Sequence, residues 1–300
     1  MIETSEEYRA DLMAVGQGDG TIADIAHIAL ILASLDRPGV SFQKYQHHLK
    51  ILDLDLMGLN ITSDSASHRA RALSAILHER HEYSGNVDYY DDLQNANLMS
   101  VIDTRKGLPI TLGILYIHLA RSQGWHIEGL RFPRHFLIRL YGASSARDGQ
   151  VIIDPFNGGR ILDVKDLREM IGKFSDMDPE LKPEYFEAAS DRNILVRLLD
   201  NIKIRCLKVS DLGQAINVMS RLVLIAPQNI QHHYELGMML AHVKQTGPAR
   251  ERLQYCLDHI EDIDQNDLIK QQVINLLQQL DQQDLENQAA NILKLPEIDR

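Results

Sequence analysis

Three side chains in the middle of the chain are of the types that carry acyl-transfer chemistry: Thr111, His135 and Asp154. A threonine hydroxyl has too high a pKa to ionise by itself, so it attacks a carbonyl only when a base within hydrogen-bond reach takes its proton. His135 could be that base, with the Asp154 carboxylate holding its ring in the useful tautomer. The three residues are therefore candidate catalytic groups of a hydrolase or acyltransferase of the amidase or protease kind.

Each of these residues also has a structural interpretation, which the sequence favours. Thr111 follows Pro109 by two positions, where a hydroxyl can cap the first turn of a helix and bond a free backbone amide. His135 and Asp154 can form a structural hydrogen bond between buried strands. Thiol chemistry in this stretch is excluded, because Cys206 and Cys256 are the only cysteines and both lie in helical segments near the C-terminus.

The residues around this candidate site predict one helix that leads into an antiparallel sheet. Proline at the first position and glycine just past the end predict a helix from Pro109 to Gln123-Gly124. Alternating apolar residues and turn formers predict the strands that follow, at 125–132, 135–141, 150–154 and 160–162. A polar hairpin loop is expected at 143–149, and a further helix begins at Asp163. One helix feeding antiparallel strands indicates an α+β core.

Helical patterns flank this core on both sides. Apolar stripes at helical spacing predict helices at 21–35, about 41–56 and 65–83, with Ser41 as an N-cap. After about Asp191, small and apolar residues recur 34 residues apart, as in Ala215 and Ala249. This spacing is the period of tetratricopeptide (TPR) repeats, in which two helices approach closely. The glutamine-rich segment 268–293 is expected to be either a solubilising cap or an incomplete third repeat.

Composition limits the partners and the compartment. The 300-residue protein has a net charge of −11, which argues against a nucleic-acid partner. The longest apolar run, 22–35, is too short to span a bilayer, and the acidic start of the sequence lacks the order of a signal peptide. Two cysteines without a disulfide framework predict a cytoplasmic protein. No metal site, cofactor or membrane partner is predicted, and the oligomeric state stays open.

Several motifs follow one another in an order that resembles the transglutaminase-like superfamily. They are YYD at 89–91, KGLPITLG at 106–113, GWHIEG at 124–129, HFL at 135–137 and DPFNGG at 154–159. More narrowly, this set is similar to the bacterial regulators of sirC expression, which have transglutaminase-like and TPR domains. The resemblance implies a papain/transglutaminase-like core of one helix and an antiparallel sheet, at about 86–172. It divides the protein into a helical lead-in plus core at 1–190 and TPR-like helices at 191–300.

The resemblance also implies roles for particular residues. In the superfamily a nucleophilic cysteine opens the helix, a histidine lies on the next strands and an aspartate on the strand after. The cysteine position falls at or near Pro109, so Thr111, His135 and Asp154 would be the remnant of a triad. The residues expected to line the cleft or bind a ligand are Tyr89, Tyr90, Lys106, Pro109 and Phe156.

Two functions follow from these observations. The first is a non-catalytic interaction or regulatory module that binds a protein or peptide partner through its TPR-like helices. The alternative is a non-thiol hydrolase or acyltransferase that uses Thr111 with His135 and Asp154. Regulation by direct DNA contact is opposed by the acidic charge.

Overall fold

The computed structural model describes residues 5–143, 149–173, 180–260 and 267–292. Within these ranges the protein forms twelve α-helices, numbered here in sequence order. They are α1 (Ser5–Gln17), α2 (Ile25–Ser34), α3 (Phe42–Gly58), α4 (Ala66–Ser74), α5 (Leu98–Thr104), α6 (Pro109–Ser122), α7 (Val164–Gly172), α8 (Asp191–Lys208), α9 (Leu212–Ile225), α10 (Ile230–His242), α11 (Thr246–His259) and α12 (Asp267–Ile292).

Seven short strands accompany these helices in the described ranges. They are β1 (Ser84–Gly85), β2 (Lys106–Gly107), β3 (Ile127–Leu130), β4 (Ile138–Tyr141), β5 (Gln150–Asp154), β6 (Arg160–Leu162) and β7 (Ala188–Ala189). β1 and β2 pair in parallel, whereas the other five form one antiparallel sheet in the order β6-β5-β4-β3-β7. The predicted α+β core of one helix and an antiparallel sheet is confirmed at this level.

The central helix α6 begins and ends where the sequence predicts. Pro109 occupies its first turn, and Gly124 lies just past its end with a φ of 69°. Eleven of the fourteen residues of α6 are buried, because it packs against the sheet and against α2. Gly113 on this helix admits the Phe136 ring, since a Cβ at this glycine would lie 2.4 Å from it. The sheet and α6 therefore fix the turn that precedes β4.

The boundaries of two predicted strands are wrong, and one correction concerns the candidate site. β3 is shorter than 125–132, and β4 begins at Ile138 rather than at His135. Pro133 cannot donate to a strand ladder, and Arg134 adopts a left-handed φ of 56°. His135 therefore lies in the turn before β4. The hairpin loop predicted at 143–149 falls mostly outside the described residues.

The N-terminal helices agree with the predicted pattern, with three local differences. Asp24 caps α2 by accepting bonds from the amides of Ala26 and His27, so this helix begins later than residue 21. Ser41 precedes α3, but its side chain makes no capping bond. The single helix predicted at 65–83 consists of α4 followed by a π-helical turn, Ala75–Arg80.

The helices after β7 form two hairpins, α8 with α9 and α10 with α11, followed by α12. The residues that recur 34 positions apart occupy equivalent buried places, as Ala215 and Ala249 show. Gly237 on α10 lets α11 approach, because a Cβ there would lie 2.8 Å from Leu253. One hydrophobic core runs from Leu12 to Leu280, so these hairpins share their core with the N-terminal helices.

Ion pairs add to the contacts between the hairpins and the N-terminal part. Arg221 on α9 makes two hydrogen bonds to Asp36, at 2.8 and 2.6 Å. Arg121 on α6 likewise makes two bonds to the buried Asp191, at 2.8 and 2.9 Å. Within the residues described, no helix combines the length and the apolar character needed to cross a membrane.

Candidate functional site

His135 and Asp154 form a hydrogen-bonded pair where the turn before β4 meets the end of β5. The ring Nε2 lies 2.8 Å from Oδ1 of Asp154, and the side chains are 16% and 1% exposed. Asp154 also accepts bonds from the Phe156 amide (3.0 Å) and the Asn157 side chain (2.6 Å). Burial alone would raise the pKa of Asp154, but these hydrogen bonds outweigh it and hold the pKa below its usual value.

An ionised Asp154 only accepts hydrogen bonds, so Nε2 of His135 carries the proton and donates it. The other ring nitrogen, Nδ1, has no hydrogen-bond partner in the part of the protein that the structure describes. In the neutral ring this nitrogen is an acceptor. The pair thus has the arrangement that a general base requires, with an oriented imidazole and a free acceptor nitrogen.

Two aromatic rings border this pair. Phe156 meets the His135 ring edge to face at 6.0 Å, and Tyr90 meets Phe156 at 5.7 Å. Gly85 on β1 makes room for Phe156, because a Cβ there would lie 2.5 Å from the ring. The Gly85 amide also donates to the Phe156 carbonyl at 3.0 Å. Three predicted site residues, His135, Phe156 and Tyr90, are therefore in one row beside Asp154.

A buried asparagine holds the loop that carries Tyr89 and Tyr90. Asn95 is 2% exposed, and its amide donates to the carbonyls of Tyr89 (2.6 Å) and Tyr90 (3.3 Å). Asn86 completes the arrangement, because it donates to the Asn95 side chain and accepts from the Tyr89 amide. The side chains of Tyr89 and Tyr90 nevertheless stay 73% and 40% exposed. This loop presents two aromatic rings on a fixed backbone.

Thr111 and Pro109 lie at the start of α6, in surroundings different from those of His135. The Thr111 hydroxyl is fully buried and donates to the Asn95 carbonyl at 2.6 Å. It also accepts the amide of Leu108 at 3.0 Å, which is the capping bond expected of a helix start. No hydrogen bond joins Thr111 to His135. The buried Pro109 ring occupies the first turn, where it offers no reactive group.

Lys106 lies on the edge of this region. Its ammonium group donates to the Ser84 hydroxyl at 2.7 Å, across the pairing of β1 with β2. Ser84 directly precedes Gly85, the glycine that packs against Phe156. Lys106 therefore places a positive charge near the rings of Phe156 and Tyr90.

Neither cysteine contributes to this site. Both thiols are fully buried, and burial raises the pKa of Cys256 to about 11 and that of Cys206 above its ordinary value.

Four residues around the site were not predicted from the sequence: Asn95, Asn157, Arg197 and Arg205. Arg197 donates to the His135 carbonyl at 2.7 Å, and the guanidinium of Arg205 lies 5.4 Å from the centre of the Tyr90 ring. Both arginines come from α8, outside the predicted core. An arginine on the buried stripe of a helix is a signal that could have marked Arg205, which is 5% exposed.

Comparison with known proteins places this site inside a matched region. Residues 43–200 match the model of the transglutaminase-like superfamily. A UPF0162 protein of Xylella fastidiosa is 30% identical over 208 residues, which cover 68% of this protein and 73% of that one. A UPF0162 protein of Vibrio cholerae is 24% identical over 205 residues, covering 68% and 74%. Human F-box only protein 21 is 29% identical over 136 residues, covering 44% and 20%.

Proposed function

This chain belongs to the transglutaminase-like superfamily, and we propose that it is a non-catalytic module that binds a protein or peptide partner. One observation carries the proposal. The Thr111 hydroxyl at the start of α6 is buried and hydrogen-bonded to the backbone, whereas the loop that carries Tyr89 and Tyr90, called the aromatic loop below, has exposed side chains on a fixed backbone. The core keeps the frame of an acyl-transfer site without an available nucleophile.

The absence of a nucleophile follows from the contacts of Thr111. A hydroxyl carries one proton, and Thr111 donates it to a carbonyl rather than to the His135 ring. Full burial also closes the hydroxyl to a substrate carbonyl. Turning it towards His135 would break its hydrogen bonds with the Leu108 amide and the Asn95 carbonyl, although the Leu108 amide would keep its own 3.0 Å bond to that carbonyl.

The aromatic loop has the properties of a recognition surface. Tyrosine is enriched among the residues that contribute most to binding at protein interfaces. Tyr89 and Val87 are each 73% exposed, and Asn95 already fixes the loop backbone. Binding to this loop therefore costs little additional ordering of the backbone. We propose that the partner contacts Tyr89, Tyr90 and the Phe156 ring beside them.

The helical hairpins supply a second surface, which we propose to be TPR-like. Their 34-residue spacing, and the close approach of α10 and α11 at Gly237, support this identity. A cavity of about 790 Å³ lies among α1, α9, α10 and α11, with Arg9, Asn217 and Glu251 among its polar residues. Together with the motif order, these features favour placing the protein among the regulators of sirC expression, with an effect exerted through a protein partner.

One observation favours a second candidate function. His135 is paired with an ionised Asp154 and keeps a free Nδ1, which is the condition for deprotonating a water molecule or a substrate hydroxyl. A hydrolase or acyltransferase could then work without Thr111 or a thiol. For this second function, His135 would be the base, but the contacts of Thr111 leave the protein without a nucleophile of its own.

Activity measurements separate the two candidates. The full-length protein is incubated with p-nitrophenyl acetate and with a fluorogenic peptide amide, beside a His135→Ala variant. The non-catalytic proposal expects both proteins to give the same background rate. Hydrolysis by the natural protein that disappears in His135→Ala would establish the second function and reject the first.

Binding is tested by a photo-crosslinking amino acid at position 89 in native host cells. The captured protein is purified, and its Kd is measured for the natural protein and for a Tyr89→Ala/Tyr90→Ala variant. Loss of the two exposed aromatic contacts should weaken binding by about thirtyfold or more, because even one interface hot-spot residue contributes about 2 kcal/mol or more. The matched control is Val164→Ala, at an exposed apolar residue on α7. Equal weakening by the control and the loop variant would remove the loop as the interface.

A further inference from the structure

A cavity of about 450 Å³ lies between the turn before β4 and α8. Its volume falls in the range of small-ligand pockets. The walls combine apolar side chains, Phe132, Phe136 and Ile194, with the polar groups of Asn193, Asn201 and Arg197. None of these residues belongs to the predicted site, but Phe136 directly follows His135.

Arg197 is a cation whose charge has no carboxylate partner among the described residues. Its Nη2 donates to the His135 carbonyl at 2.7 Å, and its guanidinium carbon lies 5.6 Å from the centre of the Phe136 ring. Burial lowers the pKa of Arg197, which shows that removal from water is only partly compensated. An anion in the cavity would supply the missing compensation, because a guanidinium fork matches a carboxylate with two hydrogen bonds.

The other groups of the cavity favour a single negative charge beside an apolar side chain. Two further arginines line the cavity: Arg131 already pairs with Glu187 at 3.1 Å, and Arg134 also has an interaction partner. The backbone amide of Asn193 donates to the Ser190 hydroxyl, but its exposed side-chain amide has no hydrogen-bond partner among the residues described and can serve as an additional donor or acceptor. Phe136 and Ile194 provide the apolar wall. One guanidinium without a carboxylate partner among the described residues and one side-chain amide next to such a wall suit a monoanion better than a phosphate dianion.

We propose that this cavity binds a peptide carboxylate, with Arg197 as the charged contact and Phe136 and Ile194 against the neighbouring side chain. The carboxylate comes either from the C-terminus of a polypeptide or from an aspartate or glutamate side chain. The inference rests on the proposed function, because it assigns a chemistry to part of the partner. Arg197 also holds the His135 carbonyl, so the bound carboxylate lies against the turn that carries the histidine.

The test uses the full-length protein without any partner and three probes: N-acetyl-Leu-Phe, its C-terminal amide, and N-acetyl-Phe-Asp-amide. Affinities come from ¹H–¹⁵N NMR titration. The proposal expects at least one acid probe to bind at least about tenfold more tightly than the neutral amide, as charge-assisted hydrogen bonds imply. Preference for N-acetyl-Leu-Phe identifies a C-terminal carboxylate, and preference for N-acetyl-Phe-Asp-amide identifies an acidic side chain.

Variants locate the binding within the cavity. Arg197→Met should remove most of the preference for the acid probe, whereas Lys165→Met, which removes a cation 84% exposed on α7, should leave it unchanged. Asn193→Trp fills the cavity and leaves the Arg197 contact with His135 in place, so it should weaken binding even if Arg197→Met fails to fold. Equal affinity for acids and amide, or full binding by a folded Arg197→Met, would overturn the proposal. A negative result at this cavity would not change the outcome of the crosslinking experiment at Tyr89, which tests the proposed function separately.

Discussion

His118 on α6 lies between two carboxylates, and its ionisation should make the stability of the protein depend on pH. Its Nδ1 donates to Asp24 at 3.0 Å, and its Nε2 lies 3.3 Å from Asp53. Asp24 is the residue that caps α2, and Asp53 belongs to α3. Burial favours the neutral ring, but the two carboxylates outweigh it and raise the pKa of His118 to about 9. A protonated His118 therefore ties three helices together.

The magnitude follows from the difference between the folded and unfolded pKa values. In the unfolded protein the ring titrates at its ordinary 6.5, against about 9 in the folded protein. A difference of this size corresponds to about 3 kcal/mol of stabilisation. Because the folded pKa is the higher one, this stabilisation is complete below pH 6.5 and is lost as the pH rises through about 9.

Urea denaturation of the natural protein and of His118→Gln tests this reasoning. The free energy of unfolding of each protein is measured from about pH 6 to about pH 10, the window over which the linkage acts. The advantage of the natural protein over the variant should shrink by about 3 kcal/mol across this window. His47→Gln, at an exposed histidine on α3, is the matched control and should show a constant difference. A constant difference for His118→Gln as well would refute the assigned charge state.

Three further substitutions test the contacts that hold the aromatic loop and the ion pair that joins α9 to Asp36. Gly85→Ala pushes a methyl group into the Phe156 ring and should lower the free energy of unfolding by about 1–3 kcal/mol, measured in urea. Asn95→Ala removes the side-chain amide that holds the aromatic loop, so it should lower the free energy of unfolding by about 1–3 kcal/mol. It should also speed amide hydrogen exchange in that loop alone, and unchanged exchange would contradict the role assigned to Asn95. Arg221→Met leaves Asp36 with only the Gln214 side chain, at 2.6 Å, as a hydrogen-bond donor among the described residues, and should cost about 1–3 kcal/mol. An effect near zero would mean that the pair behaves as a surface contact.

Much of the fold could be predicted from the sequence, because local patterns carry it. The start of α6 at Pro109 and its end before Gly124 follow from the limited backbone conformations of proline and glycine. β5 and β6 lie where alternating residues place them. The spacing of 34 residues predicted paired helices, and α8 pairs with α9 as α10 does with α11.

The predictions failed where a residue's partner lies far away in the sequence. The start of β4 was placed too early, because Arg134 adopts a left-handed φ of 56° and the His135 carbonyl accepts from Arg197, 62 residues away, rather than from a neighbouring strand. β7 pairs with β3 although its two alanines show no strand pattern. Hydrogen bonds of this kind are set by the packing of whole elements, which local spacing does not encode.

The sequence by itself determined that the core has no thiol and that a histidine and an aspartate follow the helix in order. Only the tertiary structure decided what these groups do. It gives His135 an ionised partner, directs the Thr111 hydroxyl to the Asn95 carbonyl, and brings Arg197 from α8 behind the histidine turn. Residue type fixes which reactions are possible, whereas distance and burial fix which groups meet, and these depend on the packing of the whole protein.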